Sequence, residues 1–169
     1  MSDDDAAHFS GRPRPPDWDE PLRIPEIASE IRTILAPVDG SEHSERGLAY
    51  ASILAKATGA AIVVIVAFDP PHTIRRRGTI AVVSERSEME QDAIELAEEA
   101  VALLKARGHE ARAVAARGDA VSAILETADA EHADLVVMGR RGLSALHGMV
   151  GSVSERVARH ASVPVVLVS

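Results

Sequence analysis

The chain has 169 residues, 46% hydrophobic but only 2% aromatic, with 26 acidic side chains against 18 basic ones and a net charge of -8. That length suits one domain with a core of small and branched aliphatic side chains. The acidic balance argues against a nucleic-acid surface, which needs clustered Lys and Arg, and the scarcity of rings argues against stacking bases on aromatics.

With no cysteine, disulfides, thiolate metal sites, iron–sulfur clusters and cysteine nucleophiles drop out, and a reducing cytoplasm is the expected compartment. The N-terminal residues lack the basic patch and apolar run of a secretory signal, and no apolar stretch is long enough to span a bilayer.

Residues 1–29 carry Pro13, Pro15, Pro16, Pro21 and Pro25 among Asp and Arg, a composition that cannot bury enough apolar surface to offset ordering entropy. The expectation is a flexible tail in which Trp18 is the lone tryptophan, followed by a single domain over residues 30–169.

From there short apolar runs alternate with segments of helical period, which predicts βαβ units around a parallel sheet buried on both faces. The first run, Ile34-Leu35-Ala36-Pro37-Val38, ends at Asp39-Gly40. A helix is predicted over 41–57, where Leu48, Ala51, Leu54 and Ala55 share a face and Gly59 provides the stop. Residues 61–68 are almost wholly aliphatic and read as a central strand.

Pro70-Pro71 closes that strand and opens a loop with Arg75, Arg76 and Arg77. Met89, Ala93, Leu96, Ala97, Ala100 and Leu104 then trace the stripe of a long acidic helix that stops at Gly108. A weaker strand over 111–116 follows. After it come a helix carrying Val121, Ile124, Leu125 and Ala128, a buried strand over 135–138, a helix over 153–160, and a last strand over 163–168.

Strict alternation predicts a doubly wound five-stranded parallel sheet of order 3-2-1-4-5, Rossmann-like, with helices on both faces and a ligand crevice at the carboxyl strand ends where the order reverses. Two turns meet there. One is Pro37-Val38-Asp39-Gly40; the other is Met138-Gly139-Arg140-Arg141-Gly142. The second leads to Gly151-Ser152-Val153-Ser154-Glu155, where Ser152 and Glu155 have capping-box spacing and mark a helix start, a natural place for an anion. Gly139 and Gly142 would let further backbone amides approach the same ligand.

Neither the triphosphate loop G-x-x-x-x-G-K-[ST] nor the dinucleotide fingerprint G-x-G-x-x-G occurs. The histidines show no metal-ligand spacing, Ser144 lacks the closing glycine of a nucleophile elbow, and Arg75–Arg77 read as a solvated run. Asp39 suits a turn or helix cap and a ligand contact equally well.

The segments around Asp39, Gly139 and Gly151 resemble the universal stress protein family, over residues 31–168. The resemblance implies an adenine nucleotide alpha hydrolase-like fold and a homodimer formed through the C-terminal strand. In one subgroup it implies ATP held by G-x2-G-x9-G-[ST]. Here eight residues, not nine, separate Gly142 from Gly151.

Carried over by position, Pro37 and Val38 would line the base, Asp39 would approach the adenosine, and Ala67 would meet adenine through its backbone. Met138, Gly139, Arg141 and Gly142 would flank ribose and phosphates, with Gly151, Ser152, Val153 and Ser154 as phosphate donors. Mg2+ would arrive with the nucleotide. The implied function is a nucleotide-dependent regulatory module in stress response. The alternatives are a nucleotide-free dimeric interaction protein and a slow ATPase, for which no general base beyond Asp39 and no lysine near the phosphates is evident.

Overall fold

The computed structural model describes residues 30–68, 85–140 and 153–169. The expected tail with Trp18, the arginine run at 75–77, and Arg141, Gly142, Gly151 and Ser152 lie outside the described residues.

Among the described residues five strands and four helices alternate: β1 (Thr33–Pro37), α1 (Glu42–Thr58), β2 (Ala61–Phe68), α2 (Glu85–Ala106), β3 (Ala111–Arg117), α3 (Ala120–Ala130), β4 (Leu135–Gly139), α4 (Val153–His160) and β5 (Val165–Val168). The strands form one parallel sheet in the order β3-β2-β1-β4-β5, as the alternation predicts. Its reversal lies between β1 and β4.

Side chains alternate across the pleat and so build two cores. Ile34, Ala36, Ile62, Val64 and Val137 meet α1 and α2 on one face, while Leu35, Val63, Ile65, Val136 and Met138 meet α3 and α4 on the other. The helices present alanines to the sheet: Ala51 and Ala55 on α1, Ala93, Ala97 and Ala100 on α2. With Phe68 the one ring in this core among the described residues and alanines on the facing helices, helix and sheet approach closely, which explains a well-buried core in a chain nearly free of aromatics.

Boundaries move by a residue or two where capping chemistry decides them. Ser41 is the N-cap of α1, its hydroxyl accepting from the Ser44 N–H at 3.2 Å, so the helix begins at Glu42. The last strand begins at Val165 because Pro164 has no N–H to donate, although its carbonyl already accepts from the Val136 N–H at 3.0 Å.

At the opposite rim, Asp134 ties the entry of β4 to that of β1. Its Oδ2 accepts from the Arg32 N–H at 2.8 Å and the Thr33 N–H at 3.0 Å. These two backbone donors, helped by the Arg32 charge, hold the carboxyl below its ordinary value of 3.8 against a smaller opposing effect of burial. A depressed carboxylate stabilises the fold at pH values above its unfolded pKa, and loses that contribution as pH falls through the folded one. Asp134→Ala should therefore cost about 1 kcal/mol at pH 7. The gap from the parent should close in denaturant melts taken progressively below the ordinary carboxylate value of 3.8; a gap that stays constant down to about pH 2 would contradict this origin.

Candidate functional site

Because every strand is parallel, their carboxyl ends and the N-termini of the following helices share one rim, and the partial positive ends of the helix dipoles gather there. A cleft opens in this rim at the reversal between β1 and β4. It encloses about 560 Å³, part of it open to solvent, and is lined by Pro37, Val38, Asp39, Ser44, Ile65, Ala67, Ala120, Ile124, Met138, Gly139, Val153 and Ser154. Its walls are mostly aliphatic with a few polar groups, the make-up of small-molecule sites.

The turn after β1 is held from within. Asp39 Oδ1 accepts from the Ser41 N–H at 3.0 Å and the Ser41 hydroxyl at 2.6 Å. The Asp39 N–H reaches the Ser44 hydroxyl oxygen at 3.3 Å, and that hydroxyl donates to the Ser41 carbonyl at 2.8 Å. Asp39 is thus the aspartate of a side-chain turn, while the helix cap is Ser41. Val38 is anchored by its N–H on the Ile65 carbonyl at 2.8 Å, which continues the β1–β2 ladder to the cleft floor.

Gly139 has a different reason from the one its motif suggests. A Cβ built there would lie 2.3 Å from the His43 carbonyl oxygen and 2.5 Å from its carbon, so the missing side chain is room for the first turn of α1. Gly47, one turn further along α1, has the matching relation: its Cβ would lie 2.7 Å from the Gly139 nitrogen and 2.9 Å from the Met138 carbonyl carbon. The two glycines bring α1 backbone against β4 backbone beside the cleft.

Across the cleft, α3 and α4 form the other wall. Asp119 caps α3, accepting from the Ser122 N–H at 3.1 Å, and its second oxygen lies 3.7 Å from the Arg156 guanidinium on α4. The Ser154 side chain is buried, 3% exposed, and its hydroxyl donates to the Arg140 carbonyl at 2.5 Å. That proton is therefore engaged in docking α4 on the end of β4.

A family model described as the universal stress protein family matches residues 30–169. The chain belongs to the universal stress protein family. A universal stress protein from Thermus aquaticus, encoded in the 3' region of a QAH/OAS sulfhydrylase, is 36% identical over 140 residues, covering 82% of this chain and 98% of that one. Among solved structures, a universal stress protein in complex with cAMP is 31% identical with a TM-score of 0.64, covering 83% of this chain and 99% of that one. The universal stress protein of Archaeoglobus fulgidus in complex with dAMP, 20% identical with a TM-score of 0.59, covers 82% of this chain and 98% of its own and shares the fold.

In this member of the family, the residues expected at the crevice converge. Pro37, Val38, Asp39, Ala67, Met138, Gly139, Val153 and Ser154 all line the cleft. Arg141, Gly142, Gly151 and Ser152 are outside the described residues. Sequence reasoning missed Ser44, Ile65, Ala120 and Ile124. Ile65 and Ile124 look like ordinary core positions of a strand and a helix, and nothing local distinguishes them. For Ala120 a signal was available, since Gly118-Asp119 before a helical stripe announces a helix start at the same rim.

Proposed function

We propose that this universal stress protein binds an adenine nucleotide in the cleft at the β1–β4 reversal, ATP being the form its glycine pattern implies, and acts as a homodimeric regulatory module of the cytoplasmic stress response. The observation that carries the reading is the convergence of Pro37, Val38, Asp39, Ala67, Met138 and Gly139, from three strands, on one largely aliphatic cleft. The cAMP complex of a relative at 31% identity supports an adenine ligand. The gathered helix N-termini would favour its phosphates. Among the described residues no group of three His, Asp or Glu could hold a metal, so Mg2+ would enter with the phosphates.

Titration calorimetry with ATP and Mg2+, AMP and cAMP tests this. Saturable micromolar binding of at least one, about -8 kcal/mol, is expected. Absence of heat and of any thermal shift with all three would leave the second reading.

That second reading is a dimeric interaction protein that takes no nucleotide. Two observations favour it: the spacing between Gly142 and Gly151 is one residue short, and Asp39, Gly139 and Ser154 each have a structural task that would retain them without a ligand. A slow ATPase stands behind both, since the carboxylate of Asp39 is already engaged by Ser41.

For the dimer, the surface is β5, an edge strand of four aliphatic residues that are all half-buried. An aliphatic edge with open ladder groups invites a second strand. Val166→Lys should shift the protein toward monomer in sedimentation while the monomer still melts cooperatively. An unchanged dimer would place the interface elsewhere.

A further inference from the structure

We infer that the backbone of Arg140 couples the cleft to the open edge of β5, so that a nucleotide in the cleft changes how strongly β5 pairs with a second copy of this chain. The inference rests on the reading of cleft and edge given above. Arg140 is the first residue after β4, and its two backbone polar groups face opposite tasks. Its N–H donates to the carbonyl of Val168, at the end of β5, at 2.7 Å. Its carbonyl accepts from the hydroxyl of Ser154, in the first turn of α4, at 2.5 Å.

The surroundings make this residue a link rather than a cushion. Ser154 lines the cleft and is only 3% exposed, so α4 cannot shift toward a ligand without moving the Arg140 carbonyl or breaking that bond. Gly139, immediately before, also lines the cleft, and the His43 carbonyl fills the space beside it. Displacement toward α1 is therefore blocked by backbone.

What remains is the side of β5. There Gly139 pairs in register with Val168, and the strand is half-buried along its whole length, unlike β1 and β4, whose residues are nearly all buried. The edge strand is the softest neighbour of the link. A ligand that draws the first turn of α4 onto the strand ends thus re-aims the last rung of the ladder that a second chain would extend.

The test uses the full chain with ATP and Mg2+ as the probe. Sedimentation should give a dimer dissociation constant that differs about tenfold between nucleotide-free and saturated protein, and because a dimer holds two sites, linkage requires the per-site ATP affinity of monomer and dimer to differ by about threefold, the square root of that factor. In Ser154→Ala, compared at its own saturating ATP so that weaker binding does not enter, the factor should fall to about twofold or less, and Ser154→Thr, which keeps the hydroxyl, should restore it.

ATP binding with equal affinity at protein concentrations far below and far above the dimer constant would overturn the coupling while leaving the cleft assignment intact. Full coupling in Ser154→Ala would overturn the route through Arg140. No binding of ATP, AMP or cAMP, or a monomer at every concentration, would remove the inference together with the reading it rests on, and calorimetry and sedimentation tell those two failures apart.

Discussion

Gly139→Ala should lose about 3 kcal/mol of stability, a fall in melting temperature of roughly 10 °C for a chain of this size. The new Cβ would sit 2.3 Å from the His43 carbonyl oxygen, and the obstacle is helix backbone, not the end of a flexible side chain. Gly47→Ala faces the same contact from the other side, at 2.7 Å from the Gly139 nitrogen. At an open helix position alanine would gain about 1 kcal/mol over glycine, so a net loss at Gly47 isolates the clash. The two substitutions share one contact and should not add in the double variant. Gly59→Ala is the control: nothing lies within 4 Å of its Cβ, and only its φ of +78° is strained, worth about 1 kcal/mol. Thermal and denaturant melts of these four proteins decide the matter. If Gly139→Ala melts like the parent, α1 can move aside and the close approach is not a constraint. The same geometry disqualifies Gly139 as a probe of ligand binding, because any loss of affinity would be confounded with displacement of α1.

Asp39 offers the cleaner probe of the ligand. Asp39→Asn keeps an oxygen that can accept from the Ser41 N–H and hydroxyl, so the turn should survive with a change in stability within about 0.5 kcal/mol. It removes the charge. A hydrogen bond from a ligand hydroxyl to a carboxylate is worth about 1.5–3 kcal/mol, so nucleotide affinity should fall by about tenfold or more in calorimetry. Asp39→Ala removes acceptor and charge together, and should lose that affinity plus about 1 kcal/mol of stability. Should Asp39→Asn bind ATP as tightly as the parent, the carboxylate serves the turn alone and the nucleotide is held by other groups of the cleft.

These two experiments turn on the same distinction between a residue kept for folding and one kept for a ligand, and the chain itself shows how far each can be read in advance. The strand–helix alternation, the reversal between β1 and β4 and the meeting of two turns there were legible, because period-two and period-3.6 patterns of apolar residues are local and the rules for joining parallel strands are few. The start of α1, the Gly59 stop and the start of α4 at Val153 were legible within a residue for the same reason, since capping is chemistry between near neighbours, although the cap of α1 is Ser41 and not Asp39.

Contacts between residues distant in the chain were not. Gly139 could be picked out as a glycine at a strand end, but that its missing side chain makes room for His43 depends on how closely an alanine-faced helix settles on the sheet. Ser154 could be picked out as a hydroxyl near a helix start, yet its bond to the Arg140 carbonyl joins two segments on either side of a long connection. Ile65 and Ile124 become cleft walls through packing alone, since each side chain has the same character whether it faces a core or a ligand. Local pattern sets which elements form and in what order they pair. Which atoms meet across them is a matter of close packing, where a few tenths of an ångström separate a contact from a clash, and no pattern in the chain carries that information.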